Sequence, residues 1–215
     1  MDAVAHVAEM DLPTAAQQGH VGLVQTLLGQ GFPVDYAPEA GRTALHLAAG
    51  CGHLGVVRLL LDAGAQITAH DCIGWSVLHH AANAGQLEVI RFLLADEAVR
   101  TSLLRPGPLG GESAENTQTP LHVAAERGHV DAVRLLLPLM SKDIDTSAWG
   151  GCGPLHDAAG HGFVNVVRCL LEADADPEVS DEGGWGALHY AASEGHVEVA
   201  QVRCKPQLAL PVVAL

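Results

Sequence analysis

The chain has 215 residues, 48% of them apolar and 17% charged, a balance that buries surface and excludes an extended disordered polypeptide. Its formal net charge of −14, from 25 acidic and 11 basic residues, argues against a nucleic-acid surface, because non-specific phosphate affinity comes from lysine and arginine. The same charge favours basic protein partners on encounter. Met1-Asp2-Ala3-Val4-Ala5-His6 lacks the basic-then-apolar order of a secretory signal. No uncharged apolar run reaches the roughly 18 residues of a membrane span. The five cysteines, Cys51, Cys72, Cys152, Cys169 and Cys204, show neither metal-ligand spacing nor a paired framework, so reduced thiols in a cytoplasmic or nuclear protein are expected.

Length alone suggests one or two domains, but an internal repeat changes that reading. The pattern Leu-His-x-Ala-Ala occurs from Leu45 to Ala49, Leu78 to Ala82, Leu121 to Ala125, Leu155 to Ala159 and Leu188 to Ala192. Its histidines, His46, His79, His122, His156 and His189, step by 33, 43, 34 and 33 residues. One period of about 33, with an insertion of about ten residues and another of one, implies stacked units that bury their faces against neighbours. Thr119-Pro120-Leu121-His122, with near matches at Thr43-Ala44, Ser76-Val77, Gly153-Pro154 and Gly186-Ala187, resembles the start of an ankyrin repeat. Gly52-His53-Leu54, Gly128-His129-Val130 and Gly195-His196-Val197 fit its interhelical turn, and Val56 to Leu61 and Val133 to Leu137 fit its second helix. The resemblance implies an all-α solenoid of about six helix-turn-helix units with β-hairpin finger loops.

In chain order, residues 1–37 form a degenerate first unit, with a first helix over 3–8 or 12–18, a turn at Gly19-His20 and a second helix around Val24 and Leu27-Leu28. Met10, Asp11 and Pro13 stand where later units carry Thr, Pro and His. Unit two, about 38–70, is the most regular, with Thr43 as helix N-cap and Gly64 as terminator. Unit three, about 71–104, has Glu97 in place of the terminal glycine, so its second helix is expected to run on to Leu104. Residues 105–116 hold Pro106, Gly107, Pro108, Gly110 and Gly111 and read as an inserted loop. Unit four covers about 114–147, with Pro138 ending its second helix early. Unit five covers about 148–180, with Phe163 at the turn and Asp174 at a left-handed position. Unit six, about 181–204, starts in register and fails at Arg203-Cys204. An apolar tail, 205–215, lies outside the pattern, so a frayed last unit is expected.

Thirteen histidines invite a metal or acid–base reading. Five of them recur at one repeat position, and the resemblance implies that these hydrogen-bond within and between the loops. The remainder are too sparse for a metal site, no converging nucleophile, base and oxyanion donor is present, and Gly107 to Gly111 lacks the lysine and strand of a phosphate loop. No enzyme activity, metal or cofactor is expected.

In the family, partners are contacted by loop tips and by the exposed face of each first helix, which line the concave side. Four residues before each repeat histidine stand Arg42, Trp75, Gln118, Cys152 and Trp185, with Trp149 three before Cys152. Tryptophan and arginine are enriched at interface hot spots, although each ring can instead lie flat against a neighbouring loop. Asn83, Glu126, Arg127, His161, Ser193 and Glu194 occupy the first-helix face, and His80, Asp157 and Tyr190, which follow repeat histidines, flank the same groove. The expected function is a non-catalytic scaffold binding a protein partner through the concave face and finger loops, monomeric on its own. An alternative is the substrate-recognition adaptor of a ubiquitin ligase or similar multi-subunit assembly. A nucleic-acid-linked regulator would need a contiguous basic surface.

Overall fold

Units two to five begin where a buried imidazole replaces water at a helix N-terminus, and in unit one Asp11 takes that place, accepting from the Thr14 N–H at 2.9 Å. In the computed structural model, which describes residues 10–104, 118–140 and 143–202, the first helices are α1 (Leu12–Gln17), α3 (Ala44–Gly50), α5 (Val77–Asn83), α8 (Pro120–Glu126), α10 (Pro154–Gly160) and α12 (Ala187–Ser193). The second helices are α2 (Val21–Gly29), α4 (Leu54–Asp62), α6 (Leu87–Leu93), α9 (Val130–Leu136), α11 (Val164–Glu172) and α13 (Val197–Ala200), and α7 (Glu97–Leu103) follows α6. The first helices pack side by side in one layer, the second helices in another. Residues 1–9, the insertion at 105–116 and the tail at 205–215 lie outside the described residues, as does Cys204.

The Ala-Ala pairs allow this close layering. Ala48, Ala49, Ala81, Ala82, Ala124, Ala125, Ala158 and Ala159 are fully buried between neighbouring first helices. The leucine before each histidine fills the space beside them: Leu45, Leu78, Leu121 and Leu155 are buried, each worth roughly 1.5–3 kcal/mol of apolar transfer. The equivalent Leu188 is 59% exposed, because no further described unit covers it. Unit six is correspondingly short, with only four residues in α13.

The repeat histidines bridge two elements each. Nδ1 of His46, His79, His122, His156 and His189 accepts the N-cap backbone N–H of Thr43, Ser76, Thr119, Gly153 and Gly186 at 3.0–3.2 Å. Nε2 of His46, His79 and His156 then donates to the carbonyls of Ala69, Gln118 and Val179 in the following loop. Accepting at one nitrogen and donating at the other requires the neutral ring. Burial, reinforced by neighbouring histidines, pushes His46, His79 and His122 down from 6.5 to about 4. The Nε2 of His122 meets no acceptor in hydrogen-bonding geometry, although the Cys152 and Thr146 carbonyls lie close to it.

Turn residues provide a second bridge. His53, His129 and His196 donate from Nε2 to the carbonyls of Gln17, Asn83 and Gly160 of the preceding unit, each at 3.0 Å, and Gln86 does so to Gly50 at 3.2 Å. The ring of Phe163 takes this place without a polar tip. These rings sit directly on the preceding turn. At Gly162, with φ +74°, a Cβ would lie 2.6 Å from His196 Nδ1, so the position excludes side chains on two counts.

Two expectations are corrected. The β-hairpin finger loops are absent: no strand occurs among the described residues, and the extended pairing is limited to single bridges, His70 with Ser76 and Ser180 with Gly186. Strands need consecutive extended dihedrals, whereas Ala40 and Gly41, and later Gly150 and Gly151, have φ between +50° and +82° and reverse the chain at once. In two other loops Asp71 and Asp181 accept hydrogen bonds from backbone N–H groups two or four residues on and close the turn. The second helix of unit three does not run on to Leu104. It stops at Leu93, and Asp96 caps a separate helix, α7, by accepting from the Ala98 and Val99 N–H groups at 2.9 and 3.0 Å.

Two measurements check this account. Between the unfolded value of 6.5 and about 4, the unfolded chain binds more protons at these histidines than the folded one. Their stabilising contribution is therefore complete above pH 6.5 and lost as pH falls through about 4. Urea unfolding from neutral pH downward is expected to show this decline. His79→Gln should lose about 1–3 kcal/mol at pH 7 and flatten the slope; an unchanged slope would refute the assignment. Gly162→Ala should lose at least about 1 kcal/mol, measured by the same unfolding.

Candidate functional site

The loop residues before the first helices are fixed by acids that cap their own turns. Asp71 Oδ1 accepts from the backbone N–H groups of Ile73 and Trp75 at 3.1 and 2.9 Å, while Oδ2 lies 2.9 Å from His80 Nε2. Burial alone would raise Asp71, but these hydrogen bonds outweigh it and hold the carboxyl below its ordinary value. Asp181 repeats the arrangement. Its Oδ1 accepts from Trp185 N–H at 2.7 Å, and Tyr190 donates its hydroxyl to Oδ2 at 2.6 Å. The Tyr190 bond, then the Trp185 bond, hold Asp181 low, and the same carboxylate drives the Tyr190 phenol well above its usual range. Each acid thus anchors a tryptophan four residues later and a donor nine residues later.

The three tryptophans are placed differently. Trp75 is half-buried, stacked 6.2 Å from the His79 ring and edge-on to His80 at 5.5 Å, with its Nε1 enclosed and without an acceptor. Trp185 makes the corresponding contacts with His189 and Tyr190 yet remains 45% exposed. Trp149, in a single 3₁₀ turn (Trp149–Gly151), is 73% exposed. Backbone hydrogen bonds couple adjacent loops: Cys72 N–H donates to Ala40, and Glu182 N–H to Gly150. Ile73, 51% exposed at the tip of its loop, belongs to the same surface and was not signalled by the repeat comparison, because no periodic position marks it.

On the first-helix side the structure links several of the expected residues. Arg127 donates from Nε to Asn83 Oδ1 at 3.0 Å, tying α8 to α5, and its Nη2 lies 3.8 Å from Glu126. Gln118 donates to Glu126 at 3.4 Å. Arg42 stands apart at the other end, 3.9 Å from the exposed Glu39. His161 stacks on Phe163 at 5.9 Å and donates from Nδ1 to the Asp157 carbonyl at 2.9 Å. His161, Tyr190 and Glu194 come together with Cys152 and Asp157 around a cavity of about 310 Å³ between α10 and α12. Cys152 Sγ is 3.2 Å from Tyr190 Oη, and burial raises its thiol above the usual value. Asp157 is pushed up to about 7, first by burial and then by Glu126, with His161 opposing. Its Oδ2 has no hydrogen-bond partner. The nine-residue spacing of Asp71 with His80 and Asp181 with Tyr190 is visible in the sequence and would have exposed these couples.

Among the described residues no cluster of three His, Cys, Asp or Glu side chains is arranged to hold a metal ion, and no helix is long and apolar enough to cross a membrane.

A family model for three consecutive ankyrin repeats matches residues 12–102, 64–148, 102–181 and 139–205. No curated protein matches the chain. The chain is similar to several solved structures. For the human ASB11 ankyrin repeat domain, identity is 27% over 89% of this chain and 80% of that one, with a TM-score of 0.72. The ankyrin repeat protein EF0377 is 28% identical over 89% and 97%, with a TM-score of 0.69. An ankyrin repeat domain of Acinetobacter baumannii AYE is 29% identical over 87% and 93%, with a TM-score of 0.66.

The Asp157 environment gives a direct test. With a folded value of about 7 against an ordinary 3.8, the folded chain retains the proton longer than the unfolded one. The contribution of Asp157 is therefore complete below about 3.8 and lost as pH rises through 7. Asp157→Asn carries no such loss. Its stability relative to the wild type is expected to grow from pH 4 to pH 7 by an amount on the order of a few kcal/mol. Parallel pH profiles for the two proteins in urea unfolding would remove the claim that this carboxyl is strained.

Proposed function

The chain belongs to the ankyrin repeat family, whose members are non-catalytic protein–protein interaction scaffolds, and from this we propose that it grips a partner protein along its concave side, using the first-helix row and the inter-repeat loop tips. The observation that carries this reading is the set of apolar side chains left in water at three of the inter-repeat loops. Ile73, Trp149 and Trp185 are 51%, 73% and 45% exposed while the loop backbones beneath them are held by hydrogen bonds. A tryptophan ring buried on binding contributes up to about 4–6 kcal/mol, and an anchored loop spends little ordering entropy to deliver it. Trp75, Asn83, Gln118, Glu126, Arg127, His161, Tyr190 and Glu194 are the further residues we propose for this surface, with Arg42 at its far end. The acidic surface favours a partner with basic residues.

A narrower role, the substrate-recognition half of a ubiquitin ligase or similar assembly, is favoured by the likeness to the ASB11 ankyrin repeat domain, an array that is one domain of its protein. The cytoplasm or nucleus is the location we propose, and a monomer the state, the first supported by five cysteines without paired spacing.

Trp149→Ala and Trp185→Ala remove exposed rings and should leave the thermal midpoint within the range of surface substitutions. Proximity labelling in cells is expected to recover partners with the wild type that both substitutions together deplete. A partner set unchanged by the pair would show that the loop tips are not the contact. Ligase subunits among the depleted partners would favour the adaptor role.

A further inference from the structure

The residue directly after each repeat histidine points along the first-helix row, and it is Leu47, His80, Val123, Asp157 and Tyr190 in successive units. Three of these five are polar. Two are satisfied inside the protein by the loop acid nine residues earlier, His80 by Asp71 and Tyr190 by Asp181. Unit five departs from both. The residue nine before Asp157 is Ala148, and the acid has instead moved onto the helix. Its partner has not moved with it: Asp157 Oδ2 is enclosed without a donor.

The half-buried Asp157 side chain lines a cavity of about 310 Å³, together with Cys152, Gly160, His161, Tyr190 and Glu194. That volume is at the small end for ligand sites and accommodates one side chain. No lysine or arginine lines it. The nearby Arg127 is already engaged by Asn83 and Glu126. Glu194, at the exposed rim, adds a second negative charge, and the Tyr190 ring provides a wall that suits a cation. Metal coordination is a poor fit, since three ligating side chains do not converge among the described residues.

We propose that this cavity receives the lysine or arginine side chain of a bound polypeptide, whose cation supplies the donor that Asp157 lacks. The proposal rests on the concave-side reading and specifies what that surface recognises. In units three and six the charge couple is closed internally; in unit five half of it is left for the partner. A buried carboxylate that gains a charge-assisted hydrogen bond discriminates strongly against a neutral side chain of the same shape.

The test uses the full chain, ¹⁵N-labelled, titrated with the peptide acetyl-Gly-Gly-Arg-Gly-Gly-amide and with its citrulline counterpart, which keeps the shape and removes the charge. The arginine peptide is expected to move the backbone amide signals of Asp157, Gly160 and Tyr190, and the citrulline peptide to bind about tenfold more weakly. Asp157→Asn should abolish that preference while retaining the wild-type spectrum elsewhere. Equal shifts from the two peptides would overturn the proposal using the wild type alone, whatever the variant does. Arginine-dependent shifts confined to the loops of Trp75 and Trp185 would overturn it and leave the concave surface standing. Shifts confined to α4, α6 and α9 would overturn both.

Discussion

The neutral imidazole at the start of the first helices of units two to five is the constraint on which the stack depends. It occupies the N-cap donor of its own helix and, through its second nitrogen, a carbonyl in the loop that follows. The N-cap donor is buried and the carbonyl partly so, and leaving a buried group unpaired costs roughly 1–3 kcal/mol. One side chain therefore fixes the angle between a helix and the next loop, and the loop in turn fixes where the neighbouring helix begins. The turn residues His53, Gln86, His129 and His196 do the same between consecutive units, from the opposite end of each first helix. With both ends fixed, the Ala-Ala faces are brought into contact along the row.

This arrangement also explains what the repeat presents outward. A loop whose base is held by an imidazole and whose turn is held by an aspartate has few ways to fold its tip back onto the protein. Trp185 is kept 45% exposed by a loop whose backbone is hydrogen-bonded at Asp181 and which is paired to the preceding loop through Gly150. Exposure of an apolar ring on an ordered backbone differs from exposure on a mobile one, because the ordering cost of binding has been met during folding.

The sequence was legible where a position repeats and opaque where the chain departs from its own repeat. The period and the histidines locate the helix pairs because a solenoid is built from nearest-neighbour contacts, each encoded within about 33 residues. The β-hairpin expectation failed because it came with the family resemblance; the loop residues themselves, Ala40-Gly41 and Gly150-Gly151, argue for abrupt reversal. The helix over Glu97–Leu103 was half visible: its residues read as helical, but the capping acid that separates it from α6, Asp96, was passed over. The tryptophans were found by their register, yet their exposure was not, since whether a ring lies flat depends on the neighbouring loop. Trp75 and Trp185 share a register and an anchoring acid and still differ in burial.

Two departures in the chain show how insertion and substitution have different consequences in such a stack. One extra residue precedes Thr146, and in that unit His122 Nε2 meets no acceptor in hydrogen-bonding geometry while its Nδ1 bond survives. The exchange of a loop acid for Ala148 and of a donor for Asp157 goes with a different turn, in which Gly150 takes φ +70°, and it moves the negative charge from the loop onto the helix, where burial raises that carboxyl to about 7. An unpaired histidine nitrogen sealed in the core can be satisfied by nothing outside the protein, whereas a carboxyl lining an open cavity can be. Of the two defects, only the second is placed where another molecule can complete it.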